Sequence, residues 1–173
     1  SISVLAADTS EIQVLAGGLA GALGSASWGT AAGIALGAAF AVNIVGEEGT
    51  NSVLAEVSGS RVEGGGDVAV DAQSAATIYA LTLGVAGTAS VSGSGAALAG
   101  SLAGSFSYNR IRNNTQAKLR DGSTVDAGGS VSVTALDDSS ISTDAGGFAL
   151  AIAASASSAG IGIAVGAAVS INE

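Results

Sequence analysis

The chain has 173 residues, 27 of them glycine, with no Cys, His, Met or Pro and only 3% aromatic residues. Fourteen acidic residues against five basic ones give a net charge of −9, a poor match to a nucleic-acid or anionic-membrane surface. Without Cys or His there are no disulfides, no thiolate metal sites and no nucleophile–imidazole pair.

In chain order, the first element is the alternating run Ile2-Ser3-Val4-Leu5-Ala6, which matches Val68–Ala72 and Val131–Ala135. Next comes a long uncharged stretch, about 12–46, with counterparts at about 72–109 and 145–172. Each closes on an asparagine: Asn43, Asn109 and Asn172, spaced 109 − 43 = 66 and 172 − 109 = 63. From Ile12, Ile78 and Ile141 to these asparagines the distance is 31 residues every time, so that span accepts no insertion. The length difference falls at Gly46-Glu47-Glu48-Gly49-Thr50, a loop by the rule that insertions map to loops. A shorter polar segment follows, and its tails realign at Gly59–Gly66 and Gly122–Gly129. The domain reading is one repeat array over 1–173: repeat 1 about 1–66, repeat 2 about 67–129, and an incomplete repeat 3 about 130–173. With no Met and a start in mid-pattern, the sequence reads as an internal segment, any targeting signal lying outside it.

The uncharged stretches are long enough for transmembrane helices, but their period is two. In the second copy Tyr79, Leu81, Leu83, Val85 and Val91 alternate with Ala80, Thr82, Gly84, Ala86 and Ser90. After Gly93-Ser94-Gly95 the pattern resumes in the other parity, with Leu98, Leu102, Phe106 and Tyr108 large. Period two specifies strands. Each stretch predicts two strands, up to ~50 Å long at about 3.3 Å per residue, joined by a Gly/Ser turn. One face is bulky and the other is Ala, Gly and Ser. The small face suits close approach to another sheet. The bulky face is expected to be covered, because an open apolar strip aggregates.

The predicted fold class is all-β: a repeat β-solenoid of wide, parallel β-helix-like coils of about 63–66 residues. Stacked in register, Asn43, Asn109 and Asn172 form a structural ladder on the small face. Asn as a plain strand-end turn residue is the simpler reading. The same register stacks Ile12/Ile78/Ile141, Val4/Val70/Val133 and Phe40/Phe106/Val169.

The run AKLRDGSTVDAGGSVSVTALDDSSISTDAGG (117–147), followed by an Ala/Gly/Ser-rich stretch ending AVSIN (168–172), resembles repeats of very large bacterial surface proteins. These are the filamentous-haemagglutinin-like and leukotoxin-like β-strand-repeat adhesins. The resemblance implies a secreted β-solenoid stalk at the bacterial cell surface, extracellular, serving adhesion, biofilm or cell contact. It brings no catalytic motif. The expected partners are neighbouring repeats of the same long chain or other copies of itself, in a fibre or homo-oligomer.

Little chemistry is expected. The reading is non-catalytic, with no cofactor and no metal. Carboxylate pairs occur at Glu47/Glu48 and Asp137/Asp138, and both read as solvated turns. Glu63-Gly64-Gly65-Gly66-Asp67 with Asp71 is similar to glycine-rich calcium repeats. The motif order is absent, however, and Ser130 and Thr134 replace the two aspartates in the next copy. The basic residues Arg110, Arg112, Lys118 and Arg120, near Asp121 and Asp126, read as cross-coil ion pairing. The competing functional reading is a membrane β-hairpin, barrel or pore-forming segment. An antiparallel hairpin turning at Gly93–Gly95 would put Leu81, Leu83, Val85, Leu102, Phe106 and Tyr108 on one lipid-facing side. A flat ice- or carbohydrate-binding face would need regular rows of Thr, which are absent.

Overall fold

The computed structural model describes residues 1–47 and 51–173. Its described residues form strands and turns with no helix. The first copy supplies β1 (Ile2–Asp8), β2 (Glu11–Ala26), β3 (Ala31–Val45), β4 (Ser52–Ser58) and β5 (Arg61–Gly64). The second supplies β6 (Val68–Ser74), β7 (Thr77–Ser92), β8 (Ala97–Ile111), β9 (Asn114–Arg120) and β10 (Thr124–Ala127). The third supplies β11 (Val131–Asp137), β12 (Ser140–Ser155) and β13 (Gly160–Asn172).

Equivalent strands of successive copies pair side by side. The sheets run β1-β6-β11, β2-β7-β12, β3-β8-β13, β4-β9 and β5-β10, and every pairing is parallel. The register places Ile12 and Ile141 on Ile78, Val4 and Val133 on Val70, and Phe40 and Val169 on Phe106. None of the five sheets closes on itself.

The sheets pack in two layers. Sheet β1-β6-β11 lies against β4-β9 over a core of Val53, Ala55, Val57, Val70 and Ala72. The long sheets β2-β7-β12 and β3-β8-β13 lie face to face, with Ala35, Ala86 and Ala103 buried between them. Val45, Ala76 and Ile78 fill the junction, flanked by Ile12, Ile111 and Ile141. Ile78 is wholly buried there, whereas Leu81 points outward. Ile78→Ala should therefore lower stability by about 3 kcal/mol through the cavity it leaves. Leu81→Ala should leave the urea midpoint close to the wild-type value, and comparing the two midpoints checks the assignment.

Ordinary face-to-face sheets sit ~10 Å apart because side chains fill the gap. Here the facing side chains are Ala, Gly, Ser and Thr, and they interlock against opposing backbone. Gly84 lies on the Gly104 peptide and Gly18 on Ala38, with no room for a Cβ at either. In the third copy a Cβ at Gly147 would come within 2.6 Å of the Ala167 carbonyl. This is the dry interdigitation of a steric zipper, built from small residues within one chain.

Two expectations are corrected. The antiparallel hairpin at Gly93–Gly95 does not form as a paired ladder: β7 pairs with β2 and β12, and β8 with β3 and β13. Because β7 and β8 belong to facing sheets, their bulky residues point to opposite outer sides rather than to one. The bulky faces are also bare. Leu23 is 91% exposed, Leu19 86% and Phe40 73%. The physical reason is geometric. Once the small faces meet, the large side chains of opposite parity, such as Leu19, Leu23 and Phe40, have only the outside left.

Candidate functional site: a buried asparagine ladder and two bare apolar faces

At the inner end of β3 and β8 the small-face parity reaches Asn43 and Asn109, and both are buried. Asn43 Nδ2 donates to Asn109 Oδ1 at 2.7 Å. Asn109 Nδ2 donates to Asn172 Oδ1 at 3.0 Å and to Ser107 Oγ at 2.9 Å. Asn172 lies on the outermost layer, where its Nδ2 donates to Thr143 Oγ1 at 3.1 Å. An amide suits this position because it carries both donors and acceptors on one planar group. Each layer can pass a hydrogen bond to the next without burying a charge.

A second amide contact sits outside the uninterrupted span. Asn51 Nδ2 donates to Asn113 Oδ1, and Asn113 Nδ2 donates to Ser74 Oγ at 2.6 Å. Sequence reasoning missed it because the two asparagines are 62 apart, offset by the insertion at 46–50. The usable signal was Asn at the mouth of the polar segment in both copies.

The remaining candidates are structural. Asp137 Oδ1 accepts from the Ser139 backbone N at 3.1 Å and from Ser139 Oγ, and Asp8 does the same for Ser10. These are side-chain turn caps. In the register Ser74 stands between Asp8 and Asp137, so no carboxylate column forms. Of the pair Glu47/Glu48, Glu48 lies outside the described residues. Asp67 Oδ1 accepts from the Ser130 backbone N at 2.8 Å, a bond between copies. No group of three or more metal-binding side chains occurs among the described residues.

In the basic cluster, Arg120 Nε pairs with Glu56 at 2.9 Å across the β4-β9 ladder and with Asp121 at 3.5 Å. The hydrogen bond to Glu56 is the largest influence raising the Arg120 guanidinium above its ordinary pKa, and Asp121 adds to it. The guanidinium is solvated, so this pair contributes little to stability. Glu63 stacks on Asp126, a like-charge pair that Arg61 offsets by bonding Glu63.

The largest unexplained feature is apolar. The outer face of β3-β8-β13 carries rows Ile34/Gly100/Ile163, Leu36/Leu102/Val165, Ala38/Gly104/Ala167 and Phe40/Phe106/Val169. No charged residue lies in 32–44, 98–108 or 161–171. The outer face of β2-β7-β12 is less uniform, because Gln13, Ser142 and Asp144 are exposed on it. Trp28 sits exposed at the far turn, and Tyr79 and Tyr108 stand near the opposite end of the long strands.

Comparisons of the chain with protein-family models, curated proteins and solved structures find no significant match.

Proposed function

We propose that the chain is a non-catalytic structural segment of a β-solenoid, one wide coil per copy, in a secreted bacterial surface fibre or adhesin stalk. The observation that supports it most is the register. Each complete copy adds one strand to each of five parallel sheets, and no sheet breaks the order. An architecture of that kind lengthens by one strand spacing per copy, as solenoids do. The asparagine ladder supports the same reading by locking layer to layer at a fixed point. Placement outside a bacterial cell comes from the resemblance to β-strand-repeat adhesins.

The open edges agree with a role inside a longer stack. Strands β1, β2 and β3 at one end and β11, β12 and β13 at the other each have a single partner among the described strands. Such edges are templates for further strands, supplied by neighbouring repeats or by other copies.

One observation favours the membrane reading, namely the bare apolar faces. The apolar run from Leu98 to Tyr108 covers about 33 Å at about 3.3 Å per residue, close to a hydrocarbon thickness of about 30 Å. Against it, the unpaired backbone of open edges is costly in lipid. Electron microscopy of the chain, or of concatenated copies of it, purified without detergent separates the two readings. The expected result is soluble unbranched rods of ~6 kDa per ~4.8 Å, the mass of one copy per strand spacing. Solubility in detergent only, or rings in membranes, would sink the fibre.

A further inference from the structure

We infer that the outer face of β3-β8-β13 is a self-association surface whose occupant is the same face of a second copy of this chain. The inference rests on that face alone and stands or falls separately from the fibre reading.

The central strand of the face, β8, presents Leu98, Gly100, Leu102, Gly104, Phe106 and Tyr108 outward. Large and absent side chains therefore alternate over its middle. That sequence is self-complementary. A twofold axis lying in the interface and running across the strands at Ala103 sets Leu102 opposite the partner's Gly104, and Phe106 opposite the partner's Gly100. The same axis lays each flanking strand on its own counterpart in the partner. Leu36 then faces the partner's Ala38, and Val165 faces the partner's Ala167, again large on small. An isologous contact needs this reciprocity, and closed dimers are the commonest soluble assembly. At Gly100 the face has a shallow apolar hollow, lined also by Ile34, Leu98, Ile161 and Ile163.

The area is adequate. From Ala32 to Ile44 the face is about 40 Å long, and three strands at ~4.8 Å give it a width of ~14 Å. Pairing two faces removes about 1,100 Å² in all, at the lower bound of a specific interface. Every added copy widens the face by one strand, so the contact strengthens along a longer array. A bilayer is the weaker occupant. It makes no use of glycines set opposite large residues, and it would leave the open backbone of β3 and β13 in hydrocarbon. On the opposite outer face Leu and Gly alternate from Leu15 to Leu23 along the edge strand β2, but the central strand β7 presents Tyr79, Leu81, Leu83 and Val85 in succession, and Gln13, Ser142 and Asp144 interrupt the face.

The test is sedimentation velocity of the 173-residue chain over a concentration series. The expected result is a reversible dimer. The double variant Gly100→Leu/Gly104→Leu puts a large side chain at both glycine positions of the face. A Cβ at either position meets nothing closer than 3.6 Å within the chain, so the fold is retained, as circular dichroism will report. It should weaken dimerisation at least tenfold. Leu102→Glu, at an exposed position beside the axis, should do the same by bringing two carboxylates together, and it serves if the glycine variant misfolds. Leu83→Glu, on the opposite outer face, should change the dimer constant less than twofold. A monomer at every concentration overturns the proposal, as does a Leu83→Glu effect equal to that of Leu102→Glu. Uptake by phosphatidylcholine vesicles that is equal for wild type and glycine variant overturns it in favour of a membrane face.

Discussion

Asn109→Ala should destabilise the protein by about 3 kcal/mol, read as a fall in the urea midpoint at unchanged slope. Asn109 is wholly buried and sits in the middle of the ladder. It accepts from Asn43 and donates to Asn172 and Ser107. A typical hydrogen bond contributes only ~1 kcal/mol net, but a buried partner left unsatisfied costs ~1–3 kcal/mol more. Alanine would strand the Asn43 donor, and Asn43 is itself buried. Asn172→Ala is the control. Its amide is exposed, so water replaces what is lost, and the expected cost is under ~1 kcal/mol. Equal costs at the two positions would mean that the amides mark the repeat without holding its layers together.

That contrast shows where sequence reading ends. The pairing of Ile12, Ile78 and Ile141 was legible because a 31-residue span without insertions permits only one alignment, and the same alignment is the register of the long sheets. Strand type was legible from period two, since Leu81, Leu83 and Val85 cannot share a helix face. The direction of the bulky residues was not. Alternation says that Leu81 and Leu102 oppose the small residues of their own strands. It does not say whether β7 and β8 share a sheet or face one another. That choice is made by Gly84, whose missing Cβ lets β7 meet the Gly104 backbone of β8 at a distance a larger residue forbids. The second amide contact, Asn51 on Asn113, was hidden for a different reason: the insert beside it drops the spacing from 66 to 62 and breaks the count that made the first ladder visible.

The face-to-face zipper leads to the second large expectation, a pair of substitutions three residues apart on one strand. Gly84→Val should cost about 3 kcal/mol or prevent the long sheets from closing, while Gly87→Val should be neutral or mildly stabilising. Valine is a better strand former than glycine at both positions, so propensity alone predicts a gain at each. Packing reverses the sign at only one. A Cβ on Gly84 would strike the N, C and O atoms of Gly104, which are backbone and have no rotamer to yield. Overpacking of that kind costs ~1–3 kcal/mol even where side chains can shift, and more where they cannot. Gly87 has the opposite parity, with nothing within 4 Å of its Cβ position, so valine there projects freely outward. Urea midpoints of the two variants decide the matter. If Gly87→Val is as damaging as Gly84→Val, the glycines serve backbone flexibility rather than close approach, and the small-residue zipper is not what holds the long sheets together.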